Sequence, residues 1–226
     1  MTEVRRNSFV SRHLDPGSHM LEILFGLIMT LTFTLAAGMV IEDEGAAGAR
    51  AMLLGILGCN LAWGIIDGVF YVLGELFERG RLRRLAITVR QATSDAAAQR
   101  MVADEVDETF AQLADESARQ RLYAAILERA RSAPPAAPNP VRRDDLLGGL
   151  AAGLVVFGCS IPAVLPFVFL DDPHLALRIS NSILLALLFL VGWRAAQHTM
   201  ANPWIAGSVF LLAGVLLVAI TILLGG

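Results

Sequence analysis

The residue with the most chemistry to offer is Asp67, a carboxylate alone in an apolar run from Ala51 to Gly74. An ionised carboxylate in hydrocarbon costs on the order of 3 kcal/mol by insertion scales unless a cation, a proton or donors compensate it. Loss of water favours the protonated form, and a bound divalent cation favours the ionised form. A group balanced between the two is suited to exchanging a cation for a proton. On a helix, Asn60, Gly64, Asp67, Tyr71 and Gly74 with Glu75 follow at steps of three and four and share a face. Ile65, Ile66, Val69, Phe70 and Val72 fill much of the rest, so the polar stripe should look into protein and not lipid. Gly64 and Gly68 add the small-xxx-small spacing that lets a second helix approach. The competing reading is that Asp67 is protonated or hydrogen-bonded to Asn60, Tyr71 or a threonine of the preceding run, and only fixes packing.

The preceding run, Ile23 to Ile41, crosses in the opposite sense, which places Met29 at roughly the depth of Asp67. A thioether beside a carboxylate suits ferrous iron or manganese better than magnesium or calcium. The expected ligand set is Asp67, Met29 and Asn60, with Glu22 and Glu75 feeding ions from the cytoplasmic mouth. A second, cytoplasmic metal-collecting site is conceivable at Met101, Asp104, Glu105 and Glu108, although acidic residues opposite an apolar stripe more often form a solvated face. His13, His19, His174 and His198 are scattered and form no ligand cluster, and Cys59 and Cys159 lie in apolar runs and read as reduced thiols. No phosphate-binding glycine loop, HExxH, paired CxxC or serine elbow is present, so catalysis is not expected. No resident cofactor is expected either; the metal is cargo.

These residues must be positioned by membrane helices. The chain has 226 residues, 55% hydrophobic and 17% charged, too apolar for one soluble domain. Five runs are each long enough to cross a hydrocarbon layer: Ile23 to Ile41, Ala51 to Gly74, Leu146 to Leu170, Leu175 to Trp193 interrupted by Arg178, and Thr199 to Gly226. Without period-two alternation they predict an all-α membrane protein and exclude a barrel. The expected organisation is a cytoplasmic leader over 1–19, transmembrane helices 1 and 2 over 20–77, a helical cytoplasmic insert with a Pro-rich linker over 78–145, and transmembrane helices 3 to 5 over 146–226. All 18 basic residues are Arg, and twelve of them lie between Arg79 and Arg143. With Arg5, Arg6 and Arg12 before the first run, this puts the N-terminus in the cytoplasm and the C-terminus in the periplasm of a bacterial inner membrane. The first run also has features of a cleavable signal peptide, with Ala36, Ala37 and Gly38 after a basic leader, but it is long for that role. The net charge of −3 gives no reason to expect nucleic acid.

Within the insert, Val102, Val106, Phe110 and Leu113 form one apolar stripe and Leu122, Ile126 and Ala130 another, predicting two packed helices. SAPPAAPNP then reads as a stiff linker, Pro162 and Pro166 should kink the third span, and Asn202 with Pro203 should open the fifth. Gly153, Gly158, Gly207 and Gly214 should leave small surfaces for close helix approach.

Taken together, LEILFGLIMTLTFTLAAG, the run from ILGCN to GELFERGR, the charged insert and SIPAVLPF followed by two more spans resemble the vacuolar iron transporter family, from about residue 20 onward. The resemblance implies a five-span protomer that dimerises, a metal path near the dimer axis lined by spans one and two, and export of ferrous iron or manganese in exchange for protons. It also implies an insert that collects metal through Glu and Met. Where the family carries an acidic residue followed by Gly early in span one, this chain has Met29 and Thr30, and Asp67 on the facing span is the expected substitute. The rival is a non-transporting membrane scaffold or partner-binding protein of the same fold.

Overall fold

The computed structural model describes residues 8–36, 46–110, 114–132 and 139–223, and among them every element is helical. In chain order these are α1 (Phe9–His13), α2 (Pro16–Ala36), α3 (Ala46–Gln91), α4 (Asp95–Phe110), α5 (Glu116–Ser132), α6 (Arg143–Gly158), α7 (Ile161–Phe169), α8 (Pro173–Thr199) and α9 (Pro203–Leu223). Four helical stretches are long and apolar enough to cross a membrane: Pro16–Leu35, Ala47–Gln91, Arg143–Phe169 and Pro173–Thr199. The fifth apolar run is helical as well, but its continuously described stretch, Pro203–Leu217, is shorter. The end of the first run, the acidic residues 42–44 and most of the Pro-rich linker lie outside the described residues. The chain divides into two compact units, 1–72 with 143–226, and 73–142.

In the first unit, α2 is the central element. Its start is fixed by Asp15, whose Oδ1 accepts the N–H groups of Gly17 at 2.9 Å and Ser18 at 3.1 Å. The side chain and N–H of Ser18, and then the N–H of Gly17, hold the Asp15 carboxyl below its ordinary range. Leu27 and Leu31 pack with Cys159, Ala163, Leu184 and Leu188, so α2 touches α7 and α8 together. On α8 the buried residues Ala176, Ser180, Leu184, Leu188, Gly192 and Ala196 recur every fourth position, a single seam along the helix. A polar lock sits on it: Thr34 Oγ1 donates to Asn181 Oδ1 at 2.7 Å.

Lipid tails are as apolar as leucine, so close packing rather than exclusion from water holds such helices together. Glycines make that approach possible. A Cβ at Gly64 would lie 2.6 Å from the carbonyl oxygen of Gly153, and one at Gly68 the same distance from that of Gly149. The Gly64-xxx-Gly68 face of α3 thus meets Gly149-xxx-Gly153 of α6, backbone on backbone. Gly207 lies against Phe189 and Gly214 against Leu188, as expected of close-approach positions, whereas Gly158 meets nothing within 4 Å. The expected distortion of the third span is a break: α6 ends at Gly158, Cys159 and Ser160 form a turn, and α7 begins with Pro162 in its first turn. Ser160 Oγ donates to the Phe157 carbonyl at 2.6 Å, occupying an acceptor beside the interruption. Asn202 Oδ1 accepts the Trp204 N–H at 3.0 Å and opens α9 as its sequence predicts.

The second unit is a helical assembly around Val89, Ala98, Val102, Tyr123 and Leu127. Tyr123 and Leu127 are the fully buried positions of α5; the expected Ile126 and Ala130 pack beside them, and the side chain of Phe110 and all of Leu113 lie outside the described residues. Ser94 Oγ accepts the Ala97 N–H at 3.2 Å to start α4, and Asp115 Oδ1 accepts the Ala118 N–H at 2.7 Å to start α5. Asp115 is therefore a helix cap. Arg90 Nε donates to the Ala130 carbonyl at 2.5 Å, tying α3 to the last turn of α5.

Two outcomes follow for stability in detergent. Gly149→Val should cost about 1–3 kcal/mol by overpacking, while Gly58→Ala, at an open position, should leave thermal unfolding unchanged or slightly raised. Asp15→Ala should lower stability at neutral pH by up to about 1 kcal/mol, less the discount due to its largely exposed position. Because the folded state depresses this carboxyl, its contribution is present above the ordinary carboxylate range and fades as pH falls through the depressed value. The difference between the unfolding curves of parent and variant should therefore be present at pH 7 and shrink progressively as the pH is lowered below the ordinary carboxylate range.

Candidate functional site

The helices α2 and α3 run antiparallel, and four pairs of residues fix their register. The Glu22 carboxyl lies within hydrogen-bond distance of the Asp67 carboxyl. Further along, the rings of Phe25 and Trp63 meet edge to face at 5.7 Å. Thr30 Oγ1 donates to Asn60 Oδ1 at 3.3 Å. Finally, Phe33 fills the space left by the absent side chain of Gly55.

This register places Glu22, not Met29, opposite Asp67. Met29 is level with Asn60, seven residues and roughly 10 Å of helical rise from Asp67. The reason is helix phase: Glu22, Gly26, Thr30 and Thr34 lie on one line at steps of four, and that line faces the bundle. Met29 is beside it. The side chain of α2 that faces Asp67 is thus a carboxyl, about two turns earlier than Met29.

Asn60 is 1% exposed, and both ends of its amide are engaged. Its Oδ1 accepts from Thr30, and its Nδ2 donates to the Ile56 carbonyl at 3.0 Å. Thr30 Oγ1 also donates to the Gly26 carbonyl at 2.7 Å. This group ties α2 to α3 as a saturated polar contact, the only inexpensive state for an amide at such depth.

Asp67 is different. Its Oδ2 is sealed from solvent and, among the described residues, has no hydrogen-bond donor in reach. Its neighbour Glu22 can donate only when protonated, so with both groups ionised the contact is two like charges in a medium of low dielectric. Such a pair needs a proton or a cation between its oxygens. Asp67 is adjacent to Gly68, where α3 and α6 are in backbone contact, so the pair stands beside a close helix approach.

The remaining expected site residues are distributed as follows. Glu75 is exposed, about two turns beyond Asp67 on α3. Met101 packs against the core of the second unit. Glu105 is paired with Arg81, which also holds Glu78 at 2.7 Å. Asp104 is exposed, and the side chain of Glu108 lies outside the described residues. Among the described residues no three His, Cys, Asp or Glu side chains come together. Sequence reading assigned Glu22 to the mouth and missed it as the direct partner of Asp67. Its spacing to Gly26, Thr30 and Thr34 carried the signal for its face, but not for its register against α3.

Comparison with known proteins places the chain at the level of family. No curated protein matches the chain. The family model described as the VIT family matches residues 78–226, from the latter part of α3 through α9. With two thirds of the sequence matched and the apolar helices in place, the chain belongs to the VIT family, the vacuolar iron transporters, and is a multi-pass membrane protein of a family that moves metal ions and not of an enzyme family.

Proposed function

We propose that this protein carries a divalent transition metal, ferrous iron or manganese, out of the cytosol in exchange for protons, with the Glu22–Asp67 pair as the exchange site. The observation that carries the reading is the contact of two carboxyls on facing helices, one with an oxygen buried from solvent and without a donor among the described residues. A divalent cation neutralises both groups at once, and protons restore the empty pair to a state of low charge. Each ligand state thus excludes the other electrostatically, which is the condition for coupling two fluxes.

In this reading Met29 and Asn60 form a second level of the α2–α3 seam, and the thioether favours iron or manganese over magnesium or calcium. Glu75 would collect cations outside the seam, and Met101, Asp104, Glu105 and Glu108 would do so on the second unit. Two carboxyls fall short of the four or more ligands a divalent ion takes. Carbonyls, water or the same pair from a second copy would complete the set, so the proposed working form is a homodimer. The proposed setting is a bacterial inner membrane crossed five times, with a cytoplasmic N-terminus, a helical insert in the cytosol and a periplasmic C-terminus. The distribution of arginine supports that orientation.

Uptake of iron or manganese into proteoliposomes, with internal pH followed in parallel, tests the proposal. The parent should move metal with opposite proton flow, and Asp67→Asn and Glu22→Gln should each lose at least about tenfold in rate, the kinetic equivalent of about 1.4 kcal/mol. Equal transport by Asp67→Asn refutes the exchange role, and a parent that moves no metal leaves a membrane scaffold. Glu22→Gln should at the same time unfold at a higher temperature than the parent, because its amide donates to Asp67 Oδ2 and the like-charge contact is gone.

A further inference from the structure

The N-terminal helix α1 is used by nothing described so far, yet its packing is specific. The chain reverses at Asp15, so α1 runs back alongside the first turns of α2. Ser8 and Ser11 close a reciprocal cap at its start, with the Ser11 N–H donating to Ser8 Oγ at 3.1 Å. Leu14 is 3% exposed and shares an apolar cluster with Phe9, Val10, the ring of Tyr71 and Ala151, Ala152 and Val155 of α6.

The level of that cluster matters. Ala151 and Ala152 lie between Gly149 and Gly153, the two points at which α6 touches Gly68 and Gly64 of α3. Asp67 sits between those same points. The segment therefore reaches back to the depth of the carboxyl pair. Tyr71, one turn from Asp67 on the same face of α3, holds it there: its Oη donates to the His13 carbonyl at 3.0 Å. The ring has room because residue 148 is glycine; a Cβ at that position would lie 2.8 Å from Tyr71 Oη.

We infer that residues 8–14 form a re-entrant strap that closes the α1 side of the Glu22–Asp67 pair, and that Tyr71 is its latch. An ion or water approaching from that side reaches the pair only after the Tyr71–His13 hydrogen bond opens and Phe9, Val10 and Leu14 leave α6. The apolar face of the strap also keeps water from Asp67 Oδ2, so the pair keeps the low-dielectric surroundings on which exchange depends. Tyr71 acts as a positioning residue for the strap and does not itself bind cargo. The inference rests on the reading of the carboxyl pair as the exchange site.

Carbodiimide coupling of a small amine to carboxyl groups, quantified by mass spectrometry on the full-length protein in liposomes, reports exposure without requiring transport. Tyr71→Phe keeps the ring in the Gly148 notch and removes only the latch. Leu14→Ser weakens the apolar seat. Each should raise the rate of labelling at Asp67 or Glu22 by at least about threefold, the signature of a local opening, while exposed Asp144 labels at the parental rate. Unchanged labelling at the pair in both variants overturns the strap, and so does a change in thermal unfolding without a change in labelling. A parent that moves no metal would refute the proposed function and still leave this comparison readable.

Discussion

A membrane interior offers no water, so each polar group placed there must find its partner within the protein or carry a cost of several kcal/mol. Along the seam between α2 and α3 this constraint is met at one level and left open at another. Thr30 and Asn60 satisfy each other and nearby carbonyls. At the level of Glu22 and Asp67 two acceptors face each other with no donor unless a proton is supplied. The first contact serves packing. The second retains a need for positive charge, the property on which the proposed exchange rests.

Packing and chemistry are coupled through glycine. The backbone contacts of Gly64 and Gly68 with Gly153 and Gly149 draw α3 against α6 on the turn that carries Asp67. A larger side chain at any of the four positions would push α3 from α6 on that turn. The interruption of the third span at Cys159 and Ser160 lies against the same region, since Gly26 of α2 meets Cys159 and the Val156 carbonyl.

Much of the architecture was legible before any coordinates. The apolar runs, the helix pair after Ser94, the distortion of the third span and the Asn202 cap all follow from local rules; among the described residues four of the five runs are helices long and apolar enough to span, and the helix pair, the break at Cys159 and Ser160 and the cap are observed. Charge placement was legible only in part. Glu105 was read as part of an acidic face, yet it pairs with Arg81. Residue type and helical phase give a face, but not the identity of what lies across from it.

The carboxyl pair divides along the same line. Sequence by itself determined that Asp67 sits on a polar stripe of a membrane helix and that Glu22, Gly26, Thr30 and Thr34 share a face, because the 3.6-residue period converts spacing directly into direction. It also determined the family, through the order of its apolar and charged segments. Tertiary structure alone decided that Glu22 and not Met29 stands opposite Asp67, that Asn60 is saturated, and that α1 folds back to the same depth. Register between helices is set by the fit of side chains into a partner surface, Phe33 over Gly55 and Tyr71 over Gly148, and that fit depends on two segments at once. No single segment encodes it.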